Sequence, residues 1–246
     1  MDETIFPGII TVRTNSSRLP KKCLLNFGGI TVIQHIIERC FHYSIDPIIC
    51  TTLDHSDDIL EEIALRNKIK IYRGSTINKL QRWSECATRF DLKYFHTIDA
   101  DDPFFDGVEM KKSMDLLVSS HSDVIFPSLK SSSGHASVGF SFIKSAINEL
   151  NNKFSGELNT EYIWEFIDKM PSLKTNILPD NEGKSLDLRL TLDYEEDFML
   201  LEVIRSLLGN FASRMEIDEL LANNPDLYKI NWHRNEEFLK NQGKID

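Results

Sequence analysis

The chain has 246 residues, 41% hydrophobic and 27% charged, which suits one large α/β domain or two small ones built around a substantial core. Its formal net charge of −10 argues against nucleic acid or an anionic membrane surface as the main partner. No apolar run approaches the ~20 residues that span a bilayer. The start, MDETIFPG, is acidic where a secretory signal would be basic, and Cys23, Cys40, Cys50 and Cys86 form no C-x-x-C, so a cytoplasmic protein with reduced thiols is expected.

Ile9, Ile10 and Val12 form a β-branched run that stops at Arg13 and reads as a buried strand. The loop that follows carries Arg13, Arg18, Lys21 and Lys22, with Asn15, Ser16 and Ser17 between them. In an α/β sheet the loop after the first strand is where ligands tend to bind. Cations interleaved with small hydrogen-bonding residues suit a polyphosphate, whose charge they neutralise and whose oxygens they fix. The same residues would also serve as an ordinary solvated loop, and no Walker pattern or G-x-G-x-x-G decides between the two.

Apolar residues recur at helical spacing over residues 31–41, and residues 47–51 read as a second strand. Ser56 or Asp57 can cap a helix reaching about residue 67, and residues 69–72 form a third strand that ends in Arg73-Gly74-Ser75. Leu80, Trp83, Ala87 and Phe90 stripe another helix. A fourth strand, 94–98, runs into Asp99-Ala100-Asp101-Asp102-Pro103. Strands alternating with helices predict a mostly parallel, Rossmann-like sheet with helices on both faces.

The pattern changes after about Asp123. Residues 123–129 and 138–143 read as strands joined by the segment SSSGHAS, 160–170 as a helix, and 173–178 and 187–192 as strands. Helices are predicted over 194–208 and 215–222, followed by a polar tail. With no internal repeat or low-complexity linker, this half reads as a mixed extension of the same sheet.

Two acidic clusters follow strands: Asp99, Asp101 and Asp102 after the fourth, and Asp193 after LRLTL. Carboxylates at strand ends converge on the ligand crevice of an α/β sheet. One aspartate from each cluster, with phosphate oxygens, is an ordinary Mg²⁺ set. Glu195 and Glu196 suit the first turn of a helix instead. His35 and His96 have no evident base or orienting partner and read as core residues.

Several segments, kept in order, resemble the sugar cytidylyltransferases. SSRLPKKCL with GGITVIQHIIERC resembles their S-S/T-R-L-P-G-K loop and following helix, and RGSTINKLQRW resembles R/S-G-s-x-x-D-v-L-x-R. IDADDPFFD is similar to a D-x-P strand end, NTEYIWEFI to H-V-T-x-Y-I, and LRLTLDYEEDFML to L-R-x-T-V-D-x-x-E-D. The spore-coat-polysaccharide type is the nearer match, and CMP-Kdo synthetase is further off.

The resemblance implies a GT-A-like nucleotidyltransferase fold in one domain, with a nucleotide-binding half (1–122) and a sugar-binding and dimerisation half (123–246). It implies that CTP and an acidic sugar, Kdo- or nonulosonate-like, give a CMP-sugar and pyrophosphate for surface polysaccharide synthesis, with Mg²⁺. Carried over residue by residue, Arg13, Ser16, Ser17, Arg18 and Lys22 belong to the triphosphate loop. Arg73, Gly74, Arg82 and Asp99 lie near the nucleotide. Asp101 and Asp193 are the metal aspartates, and with Arg18 and Lys22 they make the catalytic set. A homodimer is expected through Val124, Ile125, Phe126, Phe140 and Phe142. Lys21 stands where the pattern has glycine, and Asn78 where it has aspartate. A GT-A glycosyltransferase and a catalytically inactive nucleotide-binding relative remain as alternative readings.

Overall fold

The apolar runs of the first half form strands buried on both faces. In the computed structural model, which describes residues 5–132, 138–156, 159–160, 162–180 and 188–242, β1 (Phe6–Thr11) lies between β4 (Ile45–Thr52) and β6 (Tyr94–Asp99), parallel to both. Side chains alternate across such a strand. Accordingly Ile10 joins one apolar cluster, with Ile49 and Ile98, while Ile9 joins another, with Ile48 and Phe95. Burial on both sides explains why these strands read as unbroken apolar runs.

β5 (Lys70–Gly74) continues the parallel sheet beyond β4. On the other side the direction reverses: β8 (Ser141–Ile143) runs antiparallel to β6 and to β7 (Val124–Phe126), and β9 (Thr175–Ile177) runs parallel to β7. The order among the described residues is β5-β4-β1-β6-β8-β7-β9. A short ribbon, β2 (Asn26–Phe27) with β3 (Ile30–Thr31), turns at Gly28 and Gly29, both at positive φ.

One face is covered by α1 (Val32–His42), α2 (Asp58–Asn67), α4 (Gly107–Ser119) and α8 (Glu195–Leu208), which bury Ile36, Leu60, Met110 and Leu200. The other face carries α3 (Lys79–Arg89), α6 (Lys144–Lys153) and the short α7 (Ile163–Ile167), with Trp83, Ile147 and Ile163 inside. Helix starts follow local chemistry: the Thr31 hydroxyl accepts from Gln34 N, and Asp106 accepts from Val108 N and Glu109 N. Among the described residues no helix is long and apolar enough to cross a membrane.

Several expectations for the second half change. The strand predicted over 123–129 ends at Phe126, and Leu129–Ser132 is a single helical turn, α5. Residues 188–192 join no ladder among the described residues, while residue 187 lies outside them. The helix predicted over 160–170 contracts to α7. The helix predicted over 215–222 forms as α9 (Arg214–Asn223), but the polar tail after it is helical too, α10 (Pro225–Gln242), and both pack against α8. Val124, Ile125 and Phe142 are fully buried within the chain, because helices cover both faces of the sheet there, and they offer no dimer surface. Most of SSSGHAS, residues 133–137, lies outside the described residues.

Candidate active site

In the β1–β6 register Thr11 lies opposite Asp99, so the loops leaving both strands open side by side. The loop after β1 is pinned at its root. Asp57 Oδ1 accepts from Thr14 N at 2.7 Å and Thr14 Oγ1 at 2.8 Å, and its Oδ2 accepts from the hydroxyls of Thr51 and Thr52. Lys21 N donates to Thr14 O at 3.1 Å and closes the loop. Lys21 holds φ 56° and ψ 29°, the left-handed conformation that glycine adopts without steric cost. This geometry accounts for the glycine of the pattern at that position.

The loop and strand ends line an open cleft of about 130 Å³. Its lining among the described residues includes the cations Arg13, Arg18, Lys22, Lys79 and Arg82, the carboxylates Asp99 and Asp101, and Ser16 and Ser17. The structure thus brings together the predicted loop residues, Arg82 and the first acidic cluster. Asp193 joins them from the other half of the chain. Lys22 Nζ donates to Asp101 Oδ2 at 3.2 Å, Asp193 Oδ1 at 3.0 Å and Leu192 O at 2.8 Å, and Arg18 Nη2 donates to Asp193 Oδ1 at 2.9 Å. A backbone bond, Leu192 N to Asp101 O at 2.6 Å, ties the two acidic segments together.

Burial opposes the charge on Lys22, but Asp101 and Asp193 outweigh it and hold the ammonium above its ordinary pKa. Burial likewise pushes Asp101 up, and Lys22 and Lys79 overcome it, holding that carboxyl below its usual range. Asp102 is driven well above the carboxylate range by burial and by its neighbours Asp101 and Asp99. One cation already bridges Asp101 and Asp193, so their hard oxygen donors fit Mg²⁺. No group of three or more potential ligands gathers among the described residues, so the remaining ligands would have to come from phosphate oxygens and water.

Lys79, which the motif reading did not single out, is a buried cation of the cleft. Its Nζ lies 3.2 Å from Asp99 Oδ1 and 5.3 Å from the centre of the Trp83 ring, and Trp83 Nε1 donates to Thr11 Oγ1 at 2.9 Å. The start of α3 is set by Thr160, whose hydroxyl accepts from Lys79 N at 2.6 Å and Leu80 N at 3.1 Å. Asn78 accepts from Gln81 N through its oxygen and donates through Nδ2 to Gly156 O at 3.0 Å, a bond that an aspartate could not make. Arg82 donates to Ser75 O at 2.7 Å, and its buried Nε has no hydrogen-bond partner among the described residues.

Arg73 lies apart from the cleft. Its guanidinium donates to Thr52 O at 2.9 Å, Asp58 Oδ1 at 2.7 Å and Glu61 Oε1 at 3.1 Å, clamping β5 to α2. Side chains alternate along β5, so Arg73 faces away when Tyr72 and Gly74 face α3. Gly74 is a packing position: a Cβ there would meet the Tyr72 ring at 2.8 Å and Arg82 at 3.1 Å. The sequence motif alone could not separate these two residues from Arg82.

Residues 8–205 match the family model described as cytidylyltransferase. A protein of Methanocaldococcus jannaschii, MJ1063, is 30% identical over 233 residues, covering 91% of this chain and 93% of that one. The spore coat polysaccharide biosynthesis protein SpsF of Bacillus subtilis is 24% identical, with 92% and 97% covered. A cytidylyltransferase structure from Leptospira borgpetersenii superposes with TM-score 0.75 at 24% identity, covering 91% of this chain and 96% of that one. CMP:2-keto-3-deoxy-manno-octonic acid synthetase complexed with CTP superposes with TM-score 0.62 at 11% identity, covering 83% and 99%. These likenesses establish the α/β nucleotidyltransferase fold.

Proposed function

The chain belongs to the cytidylyltransferase family, and from that premise we propose that it activates an acidic sugar, Kdo- or nonulosonate-like, with CTP. The products are a CMP-sugar, destined for surface polysaccharide, and pyrophosphate. The observation that carries this reading is the contact of Lys22 with both Asp101 and Asp193, with Arg18 on the same Asp193 oxygen. A cation flanked by two carboxylates at the mouth of a cationic loop suits in-line transfer at a phosphate.

In the reaction, a sugar oxygen bonds to the α-phosphorus as the bond from that phosphorus to the bridging β-oxygen breaks. The hydroxyl proton is released to water, and charge gathers on the departing pyrophosphate. Arg13, Arg18 and Lys22 reach into the cleft where that charge develops, and Ser16 and Ser17 supply hydrogen bonds to the phosphates. Asp101 and Asp193 would hold Mg²⁺, whose contribution there is to neutralise phosphate charge. Arg82 and Lys79 face the nucleotide end, and Asp99 orients Lys79. Residues 1–122 bind the nucleotide, and residues 123–246 supply the sugar side and the contact of a homodimer. We place the protein in the cytoplasm, where CTP is made.

The test is pyrophosphate release with each of the four ribonucleoside triphosphates against Kdo, nonulosonic acids and phosphorylated or phosphonate acids. Turnover is expected with CTP and an acidic sugar. Equal turnover with ATP and CTP, or none with any acid, would overturn the reading.

A further inference from the structure

The family match ends at residue 205, yet the arm that carries Asp193 is held from beyond that point. Asp193 belongs to no strand among the described residues, so no ladder fixes its backbone. Asp197 does so instead: its Oδ2 accepts the amides of Asp193 and Tyr194, each at 2.9 Å. Arg189 grips Asp197 through Nε at 2.8 Å and Nη2 at 3.0 Å, and also reaches Asp193 Oδ2 at 3.5 Å.

A further grip comes from α10. Asn231 Nδ2 donates to Asp197 Oδ1 and to Arg189 O, both at 2.9 Å. Three residues on, along the same helix face, Arg234 forms a two-pronged pair with Glu196 at 3.0 and 2.8 Å. Its guanidinium lies 4.7 Å from the centre of the Tyr194 ring. Asn231 is only 1% exposed; the two bonds of its Nδ2 replace water, while its Oδ1 has no hydrogen-bond partner among the described residues.

We propose that α10 is a positioning element for the reaction: Asn231 and Arg234 lock the turn of residues 193–197 so that Asp193 meets Lys22 and Asp101 at a fixed separation. The role given to Asp193 under the proposed function is its premise. Residues that orient metal-binding or reacting carboxylates matter nearly as much as the carboxylates themselves. Neither α10 residue touches the cleft, so both act through Asp197, Arg189 and Glu196.

The test compares Asn231→Leu with the wild-type chain by amide hydrogen exchange and by steady-state kinetics. The amides of Asp193 and Tyr194 should exchange at least about tenfold faster, while those of Ile48 and Ile49 in β4 keep their protection. Turnover should fall ~10–100-fold, with the KM for CTP little changed and the Mg²⁺ needed for half-maximal rate raised. Arg234→Met, at the helix surface, should shift the same readouts less and keeps the test available if the buried variant fails to fold. Wild-type exchange at residues 193–194 in a folded variant, or faster exchange throughout the chain in equal measure, would overturn the inference. If the wild-type protein releases no pyrophosphate with CTP, the proposed function fails, and the exchange comparison still judges α10.

Discussion

The two acidic arms of the cleft are built in opposite ways. Asp99 and Asp101 leave β6, whose backbone is bonded to β1 over Gly8–Thr11 and His96–Asp99 in unbroken register. Asp193 leaves a segment outside any strand, tied to the first arm among the described residues by the backbone bond of Leu192 N to Asp101 O and by side chains. A ladder spreads the cost of any single change over many bonds. A network of Arg189, Asp197 and Asn231 concentrates it, since removing one member leaves another buried and unpaired. The second arm is therefore where this molecule should be most fragile.

The sharpest way to break that contrast is Arg189→Met. Removing one partner of a buried ion pair costs about 3–5 kcal/mol, and Arg189 and Asp197 are both fully buried. The unfolding free energy from urea titration should fall by that amount, whereas Arg73→Met, at a partly exposed clamp of the first half, should cost less than about 1 kcal/mol. Equal losses would remove the distinction.

The first arm should instead reveal itself through pH. His35 donates through Nε2 to Pro103 O at 3.0 Å, beside the Asp101 segment, and His96 ties β6 to Val138 O and the Ser141 hydroxyl, each in its neutral form. Burial depresses their pKa values to about 3 and about 4, against 6.5 in the unfolded chain. The unfolded state thus takes up protons that the native state does not. Stability from these two groups is complete above pH 6.5 and is lost as pH falls from there towards 4, with a limiting slope of about 1.4 kcal/mol per pH unit for each histidine. Unfolding free energy measured between pH 7 and 4.5 should follow this course, and His96→Gln should remove about half the slope. An unchanged slope would show that His96 is not the titrating group.

Smaller effects sharpen the picture at the joints. Thr160→Val removes the hydroxyl that receives the amides of Lys79 and Leu80, and should cost about 1–2 kcal/mol and raise the KM for CTP. An unaltered KM would mean that the start of α3 does not shape the nucleotide site. Lys21→Gly relieves a left-handed lysine and should stabilise the chain by up to about 1 kcal/mol, because the strain relieved slightly exceeds the backbone freedom added. A loss of melting temperature would show that the lysine side chain contributes more than its backbone strain.

Much of the first half was legible because a parallel strand covered on both faces leaves an unbroken apolar run, and Ile9–Ile10 and Ile48–Ile49 are such runs. The loop after β1 and the aspartates after β6 were legible because strand ends locate a crevice. The segment LRLTL alternates apolar and polar residues as a strand should, yet Arg189 and Thr191 are buried along with Leu188, Leu190 and Leu192, and periodicity says nothing of a ladder partner. In α4 the stripe of Met110, Met114 and Leu117 was blurred by the exposed Val108 and Val118. α10 was hidden for a different reason: Asn231, a polar residue, is fully buried in it, and composition counts such a residue as surface. Lys79 and Arg73 differ only in where their strand or helix turns them, which needs three dimensions.

The most direct measurement is turnover of Asp101→Asn and Asp193→Asn across a Mg²⁺ titration, with CTP and the acid found by pyrophosphate release. Each change keeps the shape and removes one charge that the cation needs. If both carboxylates hold the metal, either variant should lose at least about a hundredfold in rate, roughly 2.7 kcal/mol of barrier. CTP binding without metal should change far less, since Arg18 and Lys22 remain. Near-wild-type turnover of either variant at ordinary Mg²⁺ would contradict a shared site and make that aspartate a structural residue.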